Sequence, residues 1–249
     1  MKKHIPNILT LLNLFCGCCA LVCIFSTDFE TATLFLLFSG LCDFLDGFVA
    51  RLLKVKSEFG KEVDSLADMV SFGVVPGAIV YMLLHDPQLT SDLYNPLSIN
   101  YLAMPAFIIS AFSCYRLAKF NLDTRQTESF IGLNTPTNTM FFIGLLYIAK
   151  ENIFGLSDTV LSPAFLYSII PISSYLLISE IPMFSMKAKG LSWKGNEARF
   201  IFLAVTISSL FWLKWAGLAF VVVFYIILNL FLTLFKSKTN PSIPIGSKR

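Results

Sequence analysis

The chain has 249 residues, 55% of them hydrophobic and 14% charged, with a mean hydropathy of +0.71 and a formal net charge of +3. One soluble core cannot hide that much apolar surface, so the composition excludes an ordinary globular enzyme and predicts an all-α, polytopic membrane helix bundle. The small positive charge reads as a basic cytoplasmic rim suited to anionic lipid headgroups, with no nucleic acid as partner.

Apolar runs approaching the roughly 20 residues needed to cross a bilayer lie near 8–25, 32–53, 64–84, 99–117, 136–149, 160–178, 199–213 and 216–235. They predict eight helices, with six as the fallback count. The fifth run is short enough to be tilted or re-entrant, and 199–235 admits another division around Lys214-Trp215. The first run follows MKKH, but no small-residue cleavage site ends it, so it reads as a span and not a signal peptide. Its cysteines, Cys16, Cys18, Cys19 and Cys23, spread around the helix without a histidine and read as packing residues, not metal ligands.

With the N-terminus inside and eight spans, every Lys and Arg except Lys150 and Lys214 falls on the cytoplasmic side, including those of the 179–198 loop. The 85–98 loop has no Lys or Arg, as an outside loop should. Residues 1–235 read as one membrane domain and 236–249 as a cytoplasmic, disordered tail. His4 and His85, the only histidines, lie off any motif, so the chemistry falls to carboxylates.

Four aspartates stand in or beside membrane-helix sequence, in CDFLDGFVARLLKVKSEFGKEVDSLAD at 42–68. Asp43, Asp46, Gly47 and Ala50 recur at i, i+3, i+4 and i+7 on one stripe of the second helix. Gly60, Asp64 and Asp68 make a second stripe on a third helix that starts near Gly60. The two helices form an antiparallel hairpin, and at about 1.5 Å per residue Asp43 and Asp68 each lie roughly 12 Å from its cytoplasmic end. All four carboxylates are thus expected at one depth, near that of lipid phosphates. Crowded carboxylates must bind cations, share protons or open to water. Asp oxygens suit Mg²⁺ or Mn²⁺, and two divalent ions would neutralise the four charges. Gly47, Ala50 and Gly60 leave room beside them, although each taken singly also suits helix packing, and Arg51 an interface anchor.

The series Asp43-x-x-Asp46-Gly47-x-x-Ala50-Arg51, eight residues, then Gly60-x-x-x-Asp64-x-x-x-Asp68 matches the signature of the CDP-alcohol phosphotransferase family. The resemblance implies a six-helix core, a homodimer, and transfer of a phosphoryl-linked lipid group from a CDP-activated alcohol to a hydroxyl, with release of CMP. Carried over by position, Asp43, Asp46, Asp64 and Asp68 surround the metals and Asp68 is the base. Gly47, Ala50, Arg51 and Gly60 line the nucleotide site.

Within the family, IPNILTLLNLFCG at 5–17, EVDSLADMVSFGVVPG at 62–77 and RLAKFN…FIGL at 116–133 resemble the phosphatidylserine synthases, which use CDP-diacylglycerol and L-serine. Asn134-Thr135-Pro136-Thr137 departs from that pattern at a helix start. The acceptor's carboxylate needs a cation, for which Arg116 and Lys119, with Asn121 nearby, are candidates; each also suits a positive-inside anchor. The active site is expected to face the cytoplasm from the cell (inner) membrane. Glycerol 3-phosphate or inositol phosphate is the alternative acceptor. Two other classes use intramembrane carboxylates: a prenyltransferase, which would release diphosphate, and a cation transporter, which would need no nucleotide.

Overall fold

A computed structural model of the chain describes residues 4–55, 57–85, 99–123, 130–183 and 196–239. Eight helical rods fall where the apolar runs predict them. Helix α1 is Ile5–Phe25 and α2 is Phe29–Leu52. They are followed by α3, Glu58–His85, and α4, Tyr101–Leu122. Then come α5, Thr135–Glu151, α6, Pro163–Ile178, α7, Glu197–Leu213, and α8, Gly217–Thr239. The one pairing of strands among the described residues is two residues long on each side, Phe130–Ile131 against Pro182–Met183, and ties the entry of α5 to the exit of α6. Helix α8 runs four residues into the stretch whose composition reads as a tail; residues 240–249, with most of the 85–98 and 179–198 loops, lie outside the described residues.

Local chemistry starts these helices. Asp28 caps α2 by accepting from the Thr31 amide at 3.2 Å. The Thr31 side chain first, and this amide bond second, hold its carboxyl below the ordinary carboxylate range. Ser57 caps α3 by accepting from the Gly60 amide at 3.0 Å, which begins that helix at Glu58, two residues before the expected start. The unusual Asn134-Thr135-Pro136-Thr137 segment has the same explanation. Asn134 accepts from the Thr137 amide at 2.9 Å, and Pro136 occupies the first turn, where no amide donor is needed.

The core is apolar, as in a soluble protein, but the outer surface is apolar too and small polar groups are buried within the bundle. Thr10, Asn13, Ser39, Ser71, Ser113 and Thr139 are buried, while Phe15, Phe44, Ile207, Phe211 and Trp212 are exposed. Apolar side chains turned outward and hydroxyls and amides turned inward are the arrangement a lipid solvent selects. This is an integral membrane protein. Among the described residues, five stretches are long and apolar enough to span, the last being Glu197–Thr233 taken as one. That stretch folds back on itself. Lys214 takes a left-handed φ of 48°, and Phe202 of α7 lies with its ring centroid 5.5 Å from that of Tyr225 of α8. A straight helix would hold two residues 23 apart roughly 35 Å from each other, so α7 and α8 are a hairpin, divided at the Lys214-Trp215 point.

Small residues set how closely the rods approach. A Cβ on Gly144 of α5 would collide with the backbone nitrogen of Ala219 in α8. Gly144→Val is therefore expected to destabilise the bundle by about 1–3 kcal/mol through overpacking, read as a lower unfolding midpoint in detergent. An unchanged midpoint would mean the two helices do not meet there.

Candidate functional site

The site is built where α1, α2, α3 and the end of α4 converge. Asp43 on α2 and Asp64 and Asp68 on α3 each offer a carboxylate oxygen, all within 4.8 Å of one another. The α2 and α3 stripes face each other across a gap, held there by α1, against which both helices pack. Asp46 does not join them at that distance. It is turned toward α1, where the Thr10 hydroxyl donates to its Oδ2 at 2.5 Å. Asp46 thus stands beside the triplet, within electrostatic reach of Asp43 and Asp64.

The residues present suit a divalent cation. Asp64 Oδ1 is buried and has no hydrogen-bond partner. A buried carboxylate oxygen left bare beside two other carboxylates is costly without a cation or a proton. An all-oxygen donor set of this kind matches Mg²⁺ or Mn²⁺ better than a soft metal.

Beside the carboxylates opens a cleft of about 610 Å³. Asp46, Gly47, Ala50, Arg51, Gly60 and Asp64 all line it. Every residue that the sequence places around a nucleotide thus borders one space next to the cluster. Thr10 lines it too, as does Lys61, whose Nζ donates to the Asn121 carbonyl at 2.5 Å.

The three acceptor candidates differ. Arg116 is buried, lies within electrostatic reach of Asp68 and stacks over the Phe120 ring with its Cζ 5.0 Å from the centroid. Lys119 is engaged at the exit of α6, donating to the Ile178 carbonyl at 3.4 Å and pairing with Glu180 at 3.6 Å. Asn121 Nδ2 donates to Ser65 Oγ at 2.8 Å, tying the end of α4 to α3. Of the three, Arg116 faces the carboxylates.

Sequence reasoning missed Asn13 and the turn that follows Asp68. Asn13 is fully buried, and its Nδ2 donates to Asp68 Oδ1 at 3.0 Å. Ser39 Oγ donates to Asn13 Oδ1 at 2.5 Å, and Ser71 Oγ to the Asn13 carbonyl at 3.1 Å. Immediately after Asp68, α3 widens into a π turn at Met69–Val74. The wider turn disturbs the regular backbone ladder, and Thr139 of α5 donates to the Phe72 carbonyl at 3.1 Å. Such turns recur at functional sites. Gly17 lets α1 close onto it, since a Cβ there would strike the Ser71 hydroxyl. The Asn-x-x-Thr-x-x-Asn spacing of Asn7, Thr10 and Asn13, three polar residues one turn apart in an apolar run, was the available signal.

Residues 3–179 match the CDP-alcohol phosphatidyltransferase family model. A CDP-diacylglycerol–serine O-phosphatidyltransferase of Bacillus subtilis is 30% identical over 179 residues, 72% of this chain and 89% of that protein. Its counterpart in Helicobacter pylori is 32% identical over 210 residues, 83% of this chain and 81% of that protein. The Saccharomyces cerevisiae protein of the same name is 32% identical over 166 residues, 60% and 56% of the two chains. A match that takes in α1 to α6 includes every helix that contributes to the carboxylates and the cleft, and this chain belongs to the CDP-alcohol phosphatidyltransferase family.

Proposed function

We propose that the protein transfers the phosphatidyl group of CDP-diacylglycerol to the hydroxyl of L-serine, giving phosphatidylserine and CMP. The observation that carries this reading is the juxtaposition of the Asp43, Asp64 and Asp68 cluster with the cleft lined by Gly47, Ala50, Arg51 and Gly60. Relatives named for serine transfer, similar over most of the chain, support the acceptor.

Asp43, Asp64 and Asp68 would hold one divalent ion, with Asp46 toward the cleft for a second. Such ions, when bound, supply Lewis-acid polarisation of the diphosphate and neutralise charge on the departing CMP. Gly47, Ala50 and Gly60 keep the cleft wall low enough for the cytidine, and Arg51 offers charge to the diphosphate. Asp68 accepts the proton of the serine hydroxyl as the new oxygen–phosphorus bond forms and the bond to CMP breaks. Arg116 binds the serine carboxylate. An acceptor panel of serine, glycerol 3-phosphate and inositol phosphate, run with CDP-diacylglycerol while CMP release is followed, tests the reading; release driven by another acceptor and not by serine would overturn it.

Asn13 acts as a positioning residue. Its amide holds one Asp68 oxygen, and Ser39 holds the amide. Asn13→Leu should lower kcat by about 10–100-fold, the usual cost of losing a group that orients a metal-site ligand, with little change in the serine KM. A purely structural role would instead lower the unfolding midpoint while leaving kcat per folded molecule intact.

The protein works as a homodimer in the cell (inner) membrane, with both termini and the site toward the cytoplasm. The distribution of Lys and Arg supports this orientation. Residues 1–235 form the catalytic membrane domain. Cysteine labelling from each side of sealed vesicles, with cross-linking in the membrane, tests these assignments.

A further inference from the structure

A second cavity, of about 210 Å³, lies between α5, α6 and α8 and shares no lining residue with the cleft beside the aspartates. Its wall is apolar except for Asn138 and Ser173. Ser173 Oγ donates to Asn138 Oδ1 at 2.7 Å, while Asn138 Nδ2 is buried without any partner. Asn138 as a whole is only 1% exposed. An amide donor left bare in so apolar a place costs about 1–3 kcal/mol, which an acceptor entering the cavity would recover.

The depth of that donor limits what the acceptor can be. Asn138 sits one turn inside the start of α5, roughly 4.5 Å along the axis from Thr135. Phe141 and Ile169 lie further from the same end of the bundle, and Val222 faces them from α8. Val223 and Ile227, 44% and 57% exposed, border the cavity on the outside of the bundle, so it opens sideways toward lipid. A single donor just below the surface, with only hydrocarbon beneath it, matches the order of an ester carbonyl followed by its acyl chain. The neighbouring Thr139 is engaged toward α3 through the Phe72 carbonyl, so α5 stands between this cavity and the carboxylate site.

We infer that the α5–α6–α8 groove is a binding site for one ester-linked acyl chain of a bilayer phospholipid, distinct from the reacting lipid, with the ester carbonyl accepting from Asn138 Nδ2 and the chain lying against Phe141, Ile169 and Val222. The test uses the full chain in nanodiscs containing phosphatidylcholine with a diazirine on one acyl chain, followed by peptide mapping after irradiation. Label is expected on the α6 and α8 segments that line the groove. Val223→Trp, which fills the groove, and Asn138→Leu, which removes the donor, should each reduce that label several-fold, with CMP release by Val223→Trp showing that the protein is folded. Equal labelling in both variants would mean ordinary annular lipid and would overturn the site. Displacement of the label by stoichiometric CDP-diacylglycerol would assign the groove to the substrate and overturn its independence. Absence of label, with Ile227→Cys cross-linking between two chains, would give the groove to a second copy and equally end the proposal.

Discussion

Asp64→Asn is expected to abolish transfer while the protein stays folded. Asp64 combines two properties that no other residue of the site shows together: it belongs to the carboxylate triplet and it lines the cleft. Its Oδ1 is buried with no partner, so the carboxylate contributes little to holding the fold. Replacing it with an amide removes one negative charge from a crowded group and takes away a hard anionic oxygen from a site suited to Mg²⁺ or Mn²⁺. Loss of a ligand beside a reacting phosphate should cost several kcal/mol of transition-state stabilisation, leaving activity below about a tenth of wild type even in saturating Mn²⁺. The assay is CMP release from CDP-diacylglycerol at saturating serine, with the unfolding midpoint in detergent as the control. Activity above that level with an unchanged midpoint would remove Asp64 from the metal site.

Arg116→Ala is expected to raise the serine KM by about 10–100-fold, the range for losing a hydrogen bond to a charged group. The CDP-diacylglycerol KM should hardly move, because Arg116 does not line the cleft assigned to the nucleotide. Arg116 is buried near Asp68 and lies over Phe120, so its guanidinium is already oriented before an acceptor arrives. Arg116→Lys should recover only part of the loss, since an ammonium cannot make a forked contact with a carboxylate. Lys119 offers the contrast. Its ammonium is already paired with Glu180 and bonded to the Ile178 carbonyl, so Lys119→Ala should leave the serine KM nearly unchanged. An equal effect of the two alanine substitutions would place the acceptor elsewhere than at Arg116.

The sequence by itself determined the bundle and the motif, because both follow from relations within one helix. Hydropathy over about 20 residues locates a rod whatever its neighbours are. Spacings of three and four put Asp43 with Asp46, and Asp64 with Asp68, on single stripes whether or not the rest of the chain is folded. The turn between Leu52 and Glu58 is short enough to make α2 and α3 antiparallel, while the facing of their stripes is set by α1, against which both pack. The caps at Ser57 and Asn134 are local in the same way, and the Ser57 cap starts α3 at Glu58, two residues before Gly60.

Tertiary structure decided which side chain each polar group meets. Asp46 stands beside the triplet and meets Thr10, 36 residues earlier. Asn13 matters because Asp68, 55 residues away, receives its amide. Lys119 meets Glu180, and Asn121 meets Ser65 of α3. Spacing shows the polar stripe of Asn7, Thr10 and Asn13 on α1, but not the partner that any of these groups meets. The pairings depend on the rotation and axial register of one helix against another, set by close approaches such as Gly17 on Ser71 and Gly144 on Ala219. The π turn after Asp68 belongs with them. Its extra residue alters the facing of α3 midway, and it persists because Ser71 and Thr139 hold it to α1 and α5, contacts that exist only once the bundle has closed.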